Sequence, residues 1–448
     1  MTAARSQPPL GARPPVMSLL VLVAGADAFG DAAAMVTLML RLYRADNPAW
    51  AITALLFAML GPSALLSPFA ARVLVRWGVR RTLVMASAGQ AMAAAALIFS
   101  RGTWPTLFLV VLLGMGLAVT QPAFLAVTPT LVGQDRLTWA NSLTRTADWV
   151  GWTAGPLTGG ALCAAGLASA ALGVEAASFV LAGICFGVLG RALTARAGTV
   201  PVTTAPADSA PAATTGALRY VLRDRALAGL IASVGITNLC VFMIGVAEVF
   251  FARDVLRTGS IGFAALGSAW YGGMIAGTLA APLADAWRPS LTASAGIGLA
   301  GAGIMAASGT SYLLPAAVAY AIAGVGFGLQ VTVMRSMIQR RAAGPLCGAI
   351  CGIWVAVDMS TQLAGYLAGG AAMLAGARFT LAIAGAGLCL ACCTTVALVG
   401  REGPAPREVS HEEAEGHTRR DAVEGARVAV AAARPAAQRV RRAGPAGT

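Results

Sequence analysis

The stretch DWVGWTAGPLTGG at residues 148–160 recurs 210 residues further on, as DMSTQLAGYLAGG at residues 358–370. Asp148 falls on Asp358, Gly155 on Gly365, Leu157 on Leu367, and Gly159 and Gly160 on Gly369 and Gly370. Matched glycines mean little in a chain with 53 of them, but the same offset lays Trp77 on Trp287, Pro105 on Pro315, and Gly114 and Gly116 on Gly324 and Gly326. Rare residue types and an acid inside an apolar run are hard to align by chance at one spacing. The chain therefore reads as a parallel duplication, the way two-halved secondary transporters are built, with a substrate site between the halves.

Composition points the same way. Of 448 residues, 57% are hydrophobic and only 11% charged, too little polar surface to cover a soluble globule of this size. The apolar runs approach the roughly 20 residues that cross a bilayer. Cutting at charge clusters and at Pro or Gly turns predicts twelve helical spans, near 16–43, 49–74, 82–100, 104–132, 139–166, 170–192, 226–252, 260–286, 291–309, 312–335, 346–374 and 378–399. The predicted fold is an all-α integral membrane protein, twelve transmembrane helices in two parallel six-helix repeats. Residues 1–15 form a short N-terminal segment with no removable signal peptide, 16–192 the first bundle, 193–225 a linker, 226–399 the second bundle and 400–448 a polar, disordered tail. Within the linker, residues 197–216, rich in Thr, Ala and Pro, read as flexible.

All 32 basic residues are Arg, against 19 acids, a net charge of +13. They sit between the apolar runs rather than on one face, so they speak for membrane loops and against nucleic acid. With the N-terminus inside, the inner segments hold Arg5, Arg13, Arg72, Arg76, Arg80, Arg81, Arg136, Arg191, Arg196, Arg219, Arg223, Arg225, Arg288, Arg335, Arg340 and Arg341, and the outer ones only Arg41, Arg44, Arg101, Arg253, Arg257 and Arg378. The positive-inside rule then places both termini in the cytoplasm.

Enzyme chemistry finds little support. Both histidines, His411 and His417, lie in the polar tail, and the eight cysteines lie in apolar stretches, where sulfur behaves as a small hydrophobe. Cys347 and Cys351 have helical ligand spacing but no His nearby, so no metal site and no cofactor is expected. A phosphate-binding GxxxxGK[ST] loop is missing from a chain without Lys, which argues against ATP as direct energy source.

Acids and bases inside the spans are the informative residues, since each costs about 2.5–3.5 kcal/mol at mid-bilayer without a partner or water. Asp27 and Asp31, four apart, share a face of span one; Arg145 and Asp148, three apart, share a face of span five; Asp358 lies in span eleven. Two like charges on one apolar face make Asp27 and Asp31 candidate proton carriers. Arg145 and Asp148 read equally as a static ion pair. Glu248, near the outer end of span seven, is expected to reach toward water. Spans one, four, seven and ten offer a mostly apolar cavity set, Phe29, Met35, Gln121, Asn238, Phe242, Met243, Gln330 and Met334, suited to amphiphilic substrates.

The fifth span, Gly151-Trp-Thr-Ala-Gly155-Pro156-Leu-Thr-Gly159-Gly160, matches the antiporter signature GxxxGPxxGG. Ala140-Asn141-Ser142-Leu143 precedes it and Glu175-Ala-Ala-Ser178-Phe179 follows it. On these motifs the chain resembles the major facilitator superfamily, and within it the twelve-span drug and siderophore exporters of bacteria. The family loop GxxxDRxGxRR is similar to Ala71-x-x-x-Val75-Arg76-Trp77-Gly78-Val79-Arg80-Arg81, with Val75 in place of the acid and Asp285 at the equivalent place of the second half. The resemblance implies a cytoplasmic gate at Arg76, Gly78, Arg80, Arg81 and Asp285, and a seal at the glycine face with its Pro156 bend. The Arg many such antiporters carry in span four is Val110 here, which leaves Arg145 as a substitute. It further implies a monomer exporting hydrophobic or amphiphilic small molecules, multidrug efflux by proton antiport, while the Arg-only, Ala- and Gly-rich composition that GC-rich codons produce points to a bacterial inner membrane. A proton-coupled uptake symporter and a non-transporting membrane scaffold are the alternatives.

Overall fold

The computed structural model describes residues 14–44, 49–194, 210–285, 289–342 and 346–399. All described elements are helical and fall in one compact unit. The first half comprises α1 (Pro14–Arg44), α2 (Ala49–Leu66), a 3-10 turn (Ser67–Phe69), α3 (Ala70–Trp77), α4 (Val79–Phe99), α5 (Thr103–Val132), α6 (Leu137–Ala164) and α7 (Ala168–Thr194). A connecting helix, α8 (Ala210–Arg223), occupies the end of the stretch expected to be a flexible linker. The second half comprises α9 (Arg225–Phe250) with a π-helical turn (Phe251–Val255), α10 (Gly259–Asp285), α11 (Pro289–Gly309), α12 (Leu313–Arg341), α13 (Cys347–Ala372) and α14 (Ala377–Val399). The N-terminal segment, the rest of the linker and the tail lie outside the described residues.

The duplication reappears in the helix boundaries. Adding 210 to the ends of α4 gives α11, adding it to α5 reaches α12 within one residue, and Gly166 and Gly376, both at positive φ, close the same turn in each half. Packing repeats too: α1 lies on α6 as α9 lies on α13, α4 on α7 as α11 on α14, and α2 on α5 as α10 on α12. Between the halves, α6 meets α10 and α13 meets α2, a two-fold-like exchange.

Among the described residues, ten helices are long and apolar enough to cross a membrane. The two of the twelve expected spans outside that set are α6, which carries Arg145 and Asp148, and α10, the very pair that shields one another across the halves. Large apolar side chains such as Met92, Phe108, Leu157, Ile184, Leu283 and Leu390 are exposed, whereas the helix contacts are lined by buried alanines and small polar residues. This is how helices pack in lipid, where close backbone approach replaces the hydrophobic drive. Prolines within α2, α5, α6 and α10 are tolerated there for the same reason: neighbouring helices shelter the freed backbone groups.

Candidate functional site

The site begins with the glycine face of α6. A Cβ at Gly151 would lie 2.7 Å from Phe29 N and 2.8 Å from Gly25 O, one at Gly155 2.6 Å from Phe29 O, and one at Gly159 2.5 Å from Ala33 O. Only glycine lets α6 approach the α1 backbone this closely. Gly160 has nothing within 4 Å, and Pro156 is half-buried. In the second half Gly365 meets Leu239 O at 2.5 Å and Gly369 meets Met243 Cα at 3.0 Å, partners that are Phe29 and Ala33 shifted by the repeat.

This packing holds α1 and its acids against α6. Asp27 interacts electrostatically with Asp31 on its own helix and with Asp148 on α6. Asp148 Oδ2 accepts a bond from Arg145 Nη1 at 3.3 Å. Both also interact electrostatically with Arg335 of α12, as does Asp358 on α13. Asp358 in turn accepts from Asn238 Nδ2 of α9 and, at 3.2 Å, from Gln362 Nε2. The guanidinium of Arg145 lies 5.8 Å above the Trp149 ring, which sits 6.4 Å from Phe327 in the other half. Phe327 is stacked on Trp270 at 5.7 Å. Charged groups on α1, α6, α12 and α13 thus influence one another electrostatically, and the Trp149–Phe327 ring contact crosses between the halves.

Two members of this network were not assigned from the sequence. Arg335, counted among the inner loop arginines, is 4% exposed and lies inside α12, 6.0 Å from the Phe124 ring. The apolar residues Met334, Met337 and Ile338 around it, which carry the helix on to Arg341, were the available signal. Glu175 of α7, seen only as part of a flanking motif, is 2% exposed and faces Asp31. Glu248 also differs from expectation: its Oε1 is buried without a hydrogen-bond partner, beside Tyr271 and Tyr320 rather than water.

The halves are clasped at their Arg-rich ends. Asn141 Nδ2 donates to Ser336 Oγ at 2.9 Å and to Gln339 Oε1 at 2.7 Å, and Gln339 Nε2 donates to Leu125 O at 2.9 Å. Ser142 Oγ donates to Thr278 O at 2.6 Å, and Arg340 Nη2 to Thr138 Oγ1 at 3.0 Å. At the opposite ends arginines tie each half to itself: Arg41 donates to Leu97 O and Ser100 O, and Arg378 to Ser311 Oγ and Thr310 O.

The remaining residues are more scattered. Gly78, at φ 77°, makes the turn between α3 and α4, with Arg76, Arg80 and Arg81 exposed around it. Asp285 ends α10, and its side chain lies outside the described residues. Phe29 presents its backbone to α6, while the buried Gln121 Oε1 has no hydrogen-bond partner. Gln330 is buried against α11 and donates to Met334 Sδ at 2.9 Å, so it is not brought together with Asn238. Phe242 packs edge-on against Tyr366 at 5.0 Å, and Met243 belongs to the core of the second half.

Three solved structures share this architecture at identities where likeness is one of fold alone. A bacterial homologue of the iron transporter ferroportin in an outward-facing state superposes with a TM-score of 0.70 at 18% identity, covering 86% of this chain and all of that one. The same homologue with soaked iron gives 0.69 at 16%, covering 86% and 99%. The human organic anion transporter MFSD10 (TETRAN) gives 0.69 at 16%, covering 87% and 100%. No curated protein matches the chain by sequence. The family model of the Major Facilitator Superfamily matches residues 17–346. The chain belongs to the Major Facilitator Superfamily and is a multi-pass membrane transporter.

Proposed function

We propose that this transporter exports hydrophobic or amphiphilic small molecules across a bacterial inner membrane, as a monomer, by exchange against protons. The observation that carries the reading is the buried charge network of Asp27 on α1, Asp148 on α6 and Arg335 on α12, of which α6 and α12 pack on one another across the halves. Ionisable groups inside a membrane are costly and are kept where they move charge or bind cargo. With the Arg-rich end taken as cytoplasmic, the clasp through Asn141, Gln339 and Ser142 closes that side.

The cycle follows from competition. A proton arriving from outside neutralises a carboxyl of the network and releases the cargo. Opening of the clasp then exposes the site to the cytoplasm, where loss of the proton restores the charge that draws the next cargo molecule. The apolar and aromatic surroundings, Phe327, Trp270, Trp149 and Phe124, favour flat, greasy substrates over sugars.

Proteoliposomes loaded with lipophilic cations, neutral drugs, organic anions or a ferrous salt, under an imposed pH gradient, test this. Gradient-driven efflux of the lipophilic compounds, lost in Asp27→Asn, is the expected result. Uptake coupled to inward proton movement would favour the symporter, and absence of flux for every compound would favour a scaffold.

A further inference from the structure

Inside the first bundle lies a partly open cavity of about 30 Å³ lined by residues of α1, α2, α4, α5 and α7. At the ~10–15 Å³ a water needs, it has room for two or three waters. Asp31 and Glu175 face into it, with Gln90 as the other polar lining group and Met35, Met59 and Phe179 among the apolar ones. Glu175 is 2% exposed and its Oε2 has no hydrogen-bond partner. A buried carboxylate oxygen left without a partner is costly unless something occupies the space before it. Gly30 makes room for it: a Cβ there would lie 2.5 Å from Glu175 Oε2 and from Ser178 Oγ. The Ser178 hydroxyl is already spent on Glu175 O at 2.8 Å.

We propose that Asp31 and Glu175 form a proton-binding site inside the first bundle, in which the two carboxyls hold one proton supplied through water in this cavity. A hydronium ion hands its proton to a carboxylate oxygen and remains as water, and the site drops from two negative charges to one. The charged groups facing the pair are Asp27 on α1 and Asp148 on α6; α2, α4 and α5 line the cavity without a charged side chain. Asp27 interacts with Asp31, Glu175 and Asp148 alike, so it carries the change in charge to the network between the halves. This rests on the proton-exchange reading and deepens it by naming the carboxyls at which the proton is taken up.

Infrared spectroscopy of the full chain in lipid, over a pH titration without cargo, tests the site independently of transport. The wild type is expected to show a titrating carboxyl C=O band. The band should shift in frequency or midpoint in Glu175→Gln and in Asp31→Asn, vanish in the double variant, and persist in Asp27→Asn. Gly30→Ala, which pushes a methyl group onto Glu175 without removing an acid, should also move it. Added sodium at fixed pH should leave it unchanged. A band that survives in the double variant, or moves only in Asp27→Asn, overturns the proposal, and displacement by sodium assigns the cavity to that ion instead. A confirmed band alongside failed efflux would leave the site standing and remove the exporter.

Discussion

The two halves pack alike and are charged differently. The seam of α6 on α1 and that of α13 on α9 use the same glycine register, with Gly155 on Phe29 and Gly365 on Leu239, and Gly159 on Ala33 and Gly369 on Met243. The charges do not follow. Asp27, Asp31, Arg145 and Glu175 correspond to Thr237, Val241, Val355 and Gly385, and only Asp148 and Asp358 are shared. Even that pair is dressed differently: Asp148 is paired with Arg145, Asp358 with the amides of Asn238 and Gln362. Backbone packing is a scaffold requirement both copies must meet, whereas buried charge is expensive and is kept where it does something. Most of the network's charged groups lie in the first half, with Arg335 and Asp358 from the second, where Glu248 is buried apart from them.

The largest effect should come from breaking the shared frame. Gly155→Leu and Gly365→Leu each drive a branched side chain into a neighbouring backbone carbonyl, and both should abolish folded protein, read as loss of the monodisperse peak in size-exclusion chromatography. The alanine versions should cost about 1–3 kcal/mol by overpacking. Gly160→Ala and Gly370→Ala, with open space at both positions, should leave that peak intact.

Next in size is the shared acid. Asp148→Asn strips Arg145 of its ion-pair partner, whereas Asp358→Asn keeps one acceptor oxygen for Asn238 or Gln362 and regains the other bond when that partner's amide turns its oxygen toward the new NH2. Gradient-driven flux should fall by about tenfold or more in the first, the equivalent of about 1.4 kcal/mol in the barrier, and by less in the second. Equal losses would mean that the two acids play one symmetrical role.

The smallest effect should come from the clasp. Asn141→Ala removes two hydrogen bonds across the halves, worth about 0.5–1.5 kcal/mol each. Spin labels on the Arg-rich ends of α5 and α12 should then report a several-fold rise in the separated population. An unchanged distance distribution would show that the α6–α10 and α2–α13 packing closes that end unaided.

How much of this was legible in the sequence divides along the same line. The 210-residue offset carries the frame, because close helix packing demands glycine at fixed spacing and leaves a periodic trace; even the partners on α1 and α9 keep that register. Span number was readable as well, although the charged pair in α6 and the glycines and aromatics of α10 make these two the least apolar of the twelve. Asp27, Asp31 and Asp148 were visible as acids in apolar runs. Glu175 obeys the same criterion but was absorbed into a motif, and Arg335 was hidden by a helix that extends past its expected end, to Arg341. That Asp31 faces α7, or that Gln330 turns into α11, depends on helix rotation, and rotation is set by tertiary packing that one helix's periodicity does not contain.

The most direct test of the account is the coupling ratio, gradient-driven flux over gradient-free exchange of one exported compound, in proteoliposomes of Asp27→Asn, Asp31→Asn and Asp358→Asn. The account predicts that the two variants of the first half keep exchange and lose the gradient's drive, while Asp358→Asn keeps both. Coupling that survives in the first two and disappears in the third would place the proton chemistry in the second half and contradict it.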